Sequence, residues 1–300
     1  MIETEITHDL TLSTEQTSLL HMHSFLNVLA VLDGTVFLLG DRLTDDAGLE
    51  PAAIAITTVI DDLENAERAL DHAREVDALE ATVMGAIEAT LEVNGDAAQA
   101  DEVRELVEVA RTVFEVIHVR VRELLARQQQ PDEWLAHSIA QLDQNFRDFL
   151  AAVEQNARGR YRIVNNIAAA EPTDYVVHLD IESVDGDTIT MPGVLQDVLR
   201  DLLANARKYT DPGGEITAGL FDDGHKLRIV VEDKGLGIPE EEIEQVVDYG
   251  HRAQNALNKP TMGDGFGLTK AYFVTRQFGG RMWIASQVDV GTRVRIEIEH

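Results

Sequence analysis

Apolar residues in the first 170 positions recur at the spacing of amphipathic helices. Steps of three and four residues place apolar side chains on one helix face, which predicts helices that pack into a bundle. Glycine and proline punctuate the pattern at Gly48 to Pro51, at Asn94 and Gly95, and at Pro172. The four predicted helical segments are about Ser13 to Leu43, Leu63 to Leu91, Val103 to Leu124 and Pro131 to Val153.

After Pro172 the pattern changes to short strands that alternate with helices. Residues Thr292 to Glu299 place Val294, Ile296 and Ile298 on one face, as a half-buried strand does. The other predicted elements are strands at Tyr175 to Ile181 and Leu227 to Val231 and helices at Pro192 to Lys208 and Leu268 to Phe278. We therefore predict an α+β fold, with a helical bundle in residues 1–170 and an α/β sandwich in residues 171–300.

The chain is strongly acidic, with 25 basic and 54 acidic residues and a formal net charge of -29. Non-specific binding to nucleic acid depends on Lys and Arg side chains that neutralise phosphates. Docking on anionic lipid requires the same charges. The composition therefore argues against both kinds of partner.

Other features of the composition narrow the class of protein. There is no cysteine, which excludes disulfides and thiolate metal sites. No stretch approaches the roughly 20 apolar residues of a membrane span, and the N-terminus lacks the basic start and apolar core of a signal peptide. We expect a soluble, cytoplasmic protein.

Three short motifs in the last hundred residues carry the candidate chemistry. They are DLLANARKYT at Asp201 to Thr210, EDKGLGIP at Glu232 to Pro239 and GDGFGLT at Gly263 to Thr269. In the first motif, Asp201, Asn205 and Lys208 follow at steps of four and three residues, so they share one face of a predicted helix. By itself, that face could be an ordinary solvated one.

The two glycine motifs predict places where the backbone comes close to a ligand. Asp233, Gly235 and Gly237 follow a predicted strand, and glycine permits a positive φ and close backbone approach. The second glycine motif leads into a helix, where freed backbone amides form an anion site suited to a triphosphate. Its candidate residues are Gly263, Gly265, Phe266, Gly267 and Leu268. Either motif alone could be a turn or surface loop, but the three in this order favour a nucleotide pocket.

Together these motifs resemble the ATP-binding domain of sensor histidine kinases, within the superfamily of gyrase, the heat-shock chaperone ATPases and MutL. The resemblance covers about Tyr175 to Glu299 and implies ATP and Mg²⁺ as cofactors. It implies that Asn205 coordinates Mg²⁺, a hard cation that takes oxygen ligands. It also implies that Asp233 accepts a hydrogen bond from the exocyclic amine of adenine.

The same resemblance assigns roles to neighbouring residues. Lys208 and Tyr209 are expected to bind ATP, with the Lys208 ammonium near the phosphates. Asp201 stands where relatives carry Asn or Glu, and the Glu versions use it to activate water. The segment from about Glu240 to Met262 corresponds to the ATP lid, and Arg252 to the lid arginine, although the usual lid phenylalanines are absent.

A candidate phosphoacceptor lies in the first predicted helix. The segment HSFLNVL, from His23 to Leu29, resembles the phosphoacceptor box of histidine kinases. His23 and Asn27 are four residues apart and share a helix face. The resemblance implies that His23 is the nucleophile, a role that suits a neutral imidazole near pH 7. It implies that Asn27 positions water for removing phosphate from a partner, while Ser24 replaces the acidic residue that usually follows the histidine.

Our leading hypothesis is a sensor histidine kinase, a homodimer that phosphorylates His23 from ATP and passes the phosphoryl group to a response regulator receiver domain, with a possible phosphatase activity. One alternative is a serine kinase of the mitochondrial dehydrogenase kinase type, which also joins a four-helix bundle to this ATP domain but carries Glu in place of Asp201. Another is a non-catalytic histidine phosphotransfer protein with a degenerate ATP domain. Retention of Asn205, Asp233 and the glycines argues against that alternative.

Overall fold

The computed structural model describes residues 1–129, 132–156, 159–257 and 265–300. The chain divides into two compact units, one formed by Met1–Thr11 with Pro131–His300 and the other by Leu12–Gln130. We call them the sheet unit and the helical unit. Each unit has a hydrophobic core of its own.

The helical unit is built on five α-helices within its described residues. They are α1 (Thr14–Arg42), α2 (Glu50–Asp62), α3 (Ala66–Arg74), α4 (Val76–Asn94) and α5 (Asp101–Gln129). Helix α1 packs mainly against α5, and α2 packs mainly against α4. Their inner faces form one core in which Leu29, Ile56 and Phe114 are completely buried. The predicted N-terminal helical bundle is confirmed.

Local capping explains where these helices begin and end. The Ser13 hydroxyl accepts a hydrogen bond from the Gln16 amide, and the Gln16 side chain accepts one from the Ser13 amide, which is a capping box for α1. The side chain of Asn65 caps α3 by accepting from two backbone amides. Helix α4 ends before Gly95, whose φ is 51°. The predicted first helix and the predicted stop at Gly95 are therefore confirmed.

The single helix predicted from Leu63 to Leu91 is wrong, because this region contains two helices, each preceded by a turn. Residues 50–62 already form α2, with Pro51 in the first turn, where its missing amide has no partner to lose. The chain turns at Leu63, and again at Glu75 between α3 and α4. The apolar spacing continues across both turns because α2, α3 and α4 all face the same core. Periodicity alone therefore does not reveal the breaks.

Helix α1 is long and apolar enough to cross a membrane when judged by length and composition alone. The expectation that no stretch approaches a membrane span is therefore wrong by those criteria. Within the protein, 44% of its most apolar window is buried, and Phe25, Leu32 and Leu39 lie in the core of the helical unit. The core helix of a soluble protein passes the same test, so this packing accounts for part of the apolar character of α1.

The sheet unit contains nine strands within its described residues. They are β1 (Glu3–Glu5), β2 (Leu135–Ser138), β3 (Ile163–Val164), β4 (Tyr175–Ser183), β5 (Thr188–Met191), β6 (Glu215–Asp222), β7 (Lys226–Asp233), β8 (Arg281–Gln287) and β9 (Gly291–Glu299). Seven of them form the main sheet, in the order β1-β8-β9-β7-β6-β4-β3, and β2 pairs with β5 separately. Strands β3, β4 and β6 run parallel, and the remaining neighbours are antiparallel.

Within the described residues of this unit, three α-helices accompany the main sheet. They are α6 (Ile139–Asn156), α7 (Val194–Tyr209) and α8 (Phe266–Gln277). Helix α7 packs against α8 and contacts β6 and β7, while α8 contacts β8 and β9. Leu199, Ile229 and Ile296 are buried in the core of this unit. The predicted α/β sandwich is confirmed, including the three predicted strands and the two predicted helices.

The fourth predicted helical segment belongs to the sheet unit and not to the bundle. Its predicted start at Pro131 lies outside the described residues. Residues Leu135–Ser138 form β2, and the helix itself begins at Ile139. Leu142 and Phe146 on α6 are buried in the core of the sheet unit. The two units therefore divide near residue 130 and not near 171, because an amphipathic stripe does not specify which core it faces.

The first residues of the chain also belong to the sheet unit, which the sequence did not predict. Strand β1 pairs antiparallel with β8 at the edge of the main sheet. Glu3 forms an ion pair with Arg295 at 2.6 Å, and Glu5 forms one with Arg281. Ile6, directly after the strand, is buried in the core. The helical unit is thus inserted between β1 and the rest of the sheet unit.

Candidate active site

Helix α7 presents three of the predicted residues on its polar side. The apolar side of the helix lies in the core of the sheet unit and includes Leu195, Leu199, Leu202 and Leu203. Asp201, Asn205 and Lys208 are each partly exposed. The predicted shared face is therefore present, and its polar groups are held in place by burial of the opposite face.

The second glycine motif lies directly beside Asn205. A Cβ atom added to Gly267 would lie 2.5 Å from Nδ2 of Asn205, which is inside any normal contact distance. Gly265 immediately precedes α8 with a φ of 79°, in the left-handed region that favours glycine. Phe266 and Leu268 lie in the first turn of α8, and Gly263 lies outside the described residues. The fold thus brings the asparagine helix and the N-terminus of α8 together.

Asp233 ends strand β7 with its carboxylate turned into the protein and is only 9% exposed. Its Oδ1 accepts hydrogen bonds from the Gly235 amide at 2.8 Å and the Thr292 amide at 3.3 Å. Among the described residues, no donor bonds its Oδ2. Burial raises the pKa of Asp233 to about 6, against the opposing effect of the two backbone hydrogen bonds. A buried carboxylate with one oxygen available is suited to accept a single polar hydrogen from a ligand.

The turn after Asp233 closes against the C-terminal end of α7. The Leu236 amide donates a hydrogen bond to the carbonyl oxygen of Tyr209 at 3.0 Å. A Cβ atom at Gly235 would lie 2.4 Å from that same oxygen, and one at Gly237, where φ is 66°, would lie 2.0 Å from the carbonyl oxygen of Gln287. These two glycines are therefore required by contacts within the protein, whereas the sequence had assigned them to the approach of a bound base.

Asp201 has a charged partner that the sequence analysis missed. Nζ of Lys270 on α8 lies 3.0 Å from Oδ2 of Asp201 and 3.6 Å from Oδ2 of Asp197. Lys270 lies between Phe266 and Val274 at helical spacing, and all three are buried. The signal in the sequence that could have indicated this pair was a lysine on the apolar side of a predicted helix. Asp201 is thus an ion-paired group, which does not match the water-activating role that the resemblance implied.

The lid segment is described from Glu240 to residue 257 and not beyond. Nη2 of Arg252 donates a hydrogen bond to the carbonyl oxygen of Ala256 at 2.8 Å, within the lid itself. The Thr269 hydroxyl donates to the carbonyl oxygen of Asp248 at 3.0 Å. The rings of Tyr249 and Phe266 lie 4.6 Å apart between centroids. These contacts attach the middle of the lid, at Asp248 and Tyr249, to α8.

A cavity of about 880 Å³ lies beside the lid. Its walls include Arg252 and three consecutive glutamates, Glu240, Glu241 and Glu242. Of the predicted site residues, Arg252 alone is in its lining. This cavity therefore does not coincide with the predicted nucleotide pocket.

His23 lies on α1 in the helical unit and contacts Asn27 as the spacing predicted. Nδ2 of Asn27 is 3.1 Å from Nε2 of His23. The histidine is only 6% exposed, whereas His21, two residues earlier, is exposed. Burial of His23 was not expected, because a phosphoacceptor nitrogen must be reached by the phosphate that it attacks.

Comparison with known proteins identifies the C-terminal part of the chain. Residues 191–300 match the family described as histidine kinase-, DNA gyrase B-, and HSP90-like ATPase. These residues form an ATPase domain of that family. The match contains α7, β7 and the start of α8, so the elements that meet at Asn205, Asp233 and Gly267 all belong to the ATPase domain.

Curated relatives of the ATPase domain are sensor histidine kinases. The adaptive-response sensory kinase SasA of Synechococcus elongatus is 34% identical over 116 residues, which is 37% of this chain and 30% of that protein. The sensor histidine kinase WalK of Bacillus subtilis is 31% identical over 119 residues, which is 39% of this chain and 18% of that protein. The chain thus spans less than a third of the length of the relatives that it matches.

Similar solved structures also come from histidine kinases. The catalytic domain of the histidine kinase ThkA is 20% identical, with a TM-score of 0.37, and the match covers 56% of this chain and 97% of that one. Full-length ShkA in complex with AMPPNP is 18% identical, with a TM-score of 0.42, and the match covers 66% of this chain and 39% of that one.

The residues of the ATPase domain fit a magnesium nucleotide. Among the described residues, no cluster of three His, Asp or Glu side chains could hold a metal ion unaided. Mg²⁺ usually keeps water and phosphate ligands and takes only one or two from protein. The partly exposed amide of Asn205, beside the N-terminus of α8, matches that requirement. Asp233 supplies a separate, buried acceptor.

Proposed function

We propose that this chain is an ATP-dependent protein histidine kinase. The ATPase domain would bind ATP with Mg²⁺, the chain would phosphorylate His23, and the phosphoryl group would pass to an aspartate of a response regulator receiver domain. The observation that carries this proposal is the close approach of Gly267 to the Asn205 amide, which would place the proposed Mg²⁺ ligand beside the backbone amides at the start of α8. The sensor kinases among the relatives of the domain support the same activity.

Each predicted residue of the ATPase domain has a distinct task in this proposal. Bound Mg²⁺ would supply charge neutralisation to the phosphates, and Asn205 would hold it. The backbone amides at the start of α8 and the Lys208 ammonium would orient the phosphate oxygens. Oδ2 of Asp233 would accept a hydrogen bond from the exocyclic amine of adenine. The need for a donor at that position would favour adenine over guanine. Catalysis would thus consist of positioning and charge stabilisation.

In the helical unit, His23 would act as the nucleophile. A neutral imidazole nitrogen would form the N–P bond while the bond between the γ-phosphorus and the ADP oxygen breaks, and ADP would leave with that electron pair. Asn27 would orient the imidazole ring of His23 during phosphorylation. In the phosphatase reaction, Asn27 would position the water that removes phosphate from the partner. Because His23 is buried, its side chain must become exposed for the transfer to occur.

We also propose that the protein is a cytoplasmic homodimer that pairs through an apolar face of α1. Val31, Phe37 and Leu38 are exposed on this helix, and Phe37 is 75% exposed. Gly34 lies between them at helical spacing, and a Cβ added there would meet nothing within 4 Å. A second copy would cover these side chains and remove apolar surface from water. The formal net charge of -29 argues against binding to nucleic acid or anionic membranes.

The decisive experiment is incubation of the purified chain with γ-labelled ATP and Mg²⁺. The wild type should acquire label that is labile to acid and stable to base, as phosphohistidine is. The variants His23→Gln and Asn205→Ala should lose the label, and the control His21→Gln should keep it. Label that survives in His23→Gln would contradict the proposed acceptor.

One observation favours a second candidate function, the serine kinase activity raised by the sequence. The burial of His23 and its contact with Asn27 are compatible with a structural histidine. In that case the wild type and His23→Gln would bind ATP equally, and both would place acid-stable label on a separate protein substrate. Acid-labile label on the chain itself excludes this candidate.

A further inference from the structure

Lys270 is a charged side chain in the interior of the sheet unit. It is 2% exposed, and its neighbours on α8, Thr269 and Ala271, are completely buried. An isolated buried ammonium is strongly unfavourable unless opposite charges surround it. Its partners should therefore explain why a lysine occupies this position.

Lys270 pairs with two carboxylates on α7, and one of them also pairs with an arginine on that helix. Its ammonium is 3.0 Å from Asp201 and 3.6 Å from Asp197, and Nη1 of Arg200 is 3.2 Å from Asp197. Asp197 and Arg200 are themselves buried. In this cluster, Lys270 crosses from α8 to α7 and lies beside both carboxylates.

This cluster lies next to the nucleotide site. Asp201 is one helical turn before Asn205 on α7, and Lys270 is about one turn after Gly267 on α8. The two helices therefore touch at two successive levels, Gly267 against Asn205 and Lys270 against Asp201. A carboxylate at Asp201 without its partner would be a stronger ligand for Mg²⁺ than the neighbouring amide.

We propose that Lys270 is a positioning residue that engages Asp201 and keeps its carboxylate away from Mg²⁺, while it holds the start of α8 against Asn205. The pair of Asp201 and Lys270 thereby behaves electrically like a neutral side chain, and metal binding on α7 is left to Asn205. This inference rests on the proposed function, because it concerns the Mg²⁺·ATP site. It assigns Asp201 a paired, non-liganding role.

The test measures the affinity for ATP by calorimetry with and without Mg²⁺, together with the thermal midpoint of the nucleotide-free chain. In Asp201→Asn, the ratio of the two affinities should stay within about twofold of the wild type, because Asp201 is not a ligand. In Lys270→Met, the thermal midpoint should fall by about 5–10 °C. The released Asp201 carboxylate should raise the ratio of the affinity with Mg²⁺ to the affinity without it by about tenfold. The double variant Asp201→Asn/Lys270→Met should restore the ratio.

Two outcomes would overturn the proposal. A tenfold loss of Mg²⁺ dependence in Asp201→Asn would show that Asp201 is itself a ligand. An unchanged ratio in Lys270→Met, with only a lower midpoint, would reduce Lys270 to a structural role. If Lys270→Met does not fold, the affinity ratio of Asp201→Asn still decides whether Asp201 is a ligand for Mg²⁺.

A matched control is Lys226→Met, which removes a lysine paired with Glu297 on the sheet and should leave the ratio unchanged. The labelling and binding experiments together distinguish failure of the proposed function from failure of this inference. Mg²⁺-dependent ATP binding without label on His23 would contradict the kinase and leave this inference standing, whereas a wild type that binds no ATP would overturn both.

Discussion

The nucleotide site and the phosphoacceptor helix differ in how closely their surroundings constrain the predicted residues. In the ATPase domain, Gly237 has no room for a Cβ atom because it lies against the backbone of Gln287, and a Cβ at Gly267 would meet the side-chain amide of Asn205. On α1, Gly34 faces open space and Phe37 is exposed. Contacts within the sheet unit therefore constrain these glycines, whereas α1 carries exposed apolar side chains that the proposed homodimer would cover.

The largest effect expected from this contrast comes from matched glycine substitutions. Gly237→Ala should destabilise the sheet unit by about 3 kcal/mol or more, because the residue has a positive φ and an added Cβ meets a carbonyl oxygen. Gly34→Ala should instead stabilise the helical unit by up to about 1 kcal/mol, as alanine does in a helix interior.

Denaturant titration distinguishes the two units in this experiment. Both tryptophans, Trp134 and Trp283, lie in the sheet unit, so tryptophan fluorescence follows that unit, and far-ultraviolet circular dichroism follows the helices. If Gly237→Ala keeps the wild-type fluorescence midpoint, the claim that Gly237 is constrained by its surroundings is wrong.

A smaller effect concerns the pH dependence of ATP binding. Asp233 must be ionised for Oδ2 to accept the amine of adenine, and its pKa is about 6. Affinity should therefore be constant above about pH 7, halve by about pH 6 and fall by about tenfold from the plateau to pH 5. Calorimetry across this range tests it, and Asp233→Asn should bind more weakly with a flat profile between pH 5 and 7.5.

The same group makes a linked prediction for stability, with the opposite sign. A carboxyl whose pKa is higher in the folded state binds more protons when folded, so its contribution to the free energy of unfolding falls as pH rises from about 4 to 6. Asp233→Asn should remove this decline. If the affinity for ATP falls below pH 6 equally in the wild type and in Asp233→Asn, a group other than Asp233 causes the pH dependence.

The smallest effect tests the apolar face of α1. Phe37→Ala should weaken the homodimer by about fivefold in Kd, or about 1 kcal/mol, with little change in the stability of the helical unit because the ring is exposed. Sedimentation equilibrium measures the change. Ile54→Ala on α2, also exposed, is the control, and an equal loss in both variants would contradict pairing through α1.

Much of the fold followed from local signals. Helices α1, α5, α7 and α8 have clear apolar periodicity, and β9 alternates cleanly. Strand β1 could not be predicted, because Glu3, Thr4 and Glu5 carry no apolar pattern and become a strand only by pairing with β8. The placement of α6 failed for a related reason, since its core partner was not identifiable from its own stripe.

The sequence predicted the residue types of the candidate site but not all of their contacts. Asn205, Asp233 and Gly267 were identified from their motifs, and the fold brings Asn205 and Gly267 together. The pairing of Lys270 with Asp201 and the burial of His23 depend on helices distant in sequence. Such long-range packing is not encoded in any short window of residues.

The insertion of the helical unit after β1 has a consequence for dissecting this protein into fragments. A fragment that begins at residue 131, or at the family boundary at residue 191, lacks β1 and leaves the edge of β8 at Trp283, Ile284 and Ala285 without its neighbour. It also lacks Ile6, which fills part of the core. An apolar, unpaired strand edge is a template for association with other chains. An excised ATPase domain should therefore aggregate unless residues 1–11 are supplied, fused or in trans, to close the sheet.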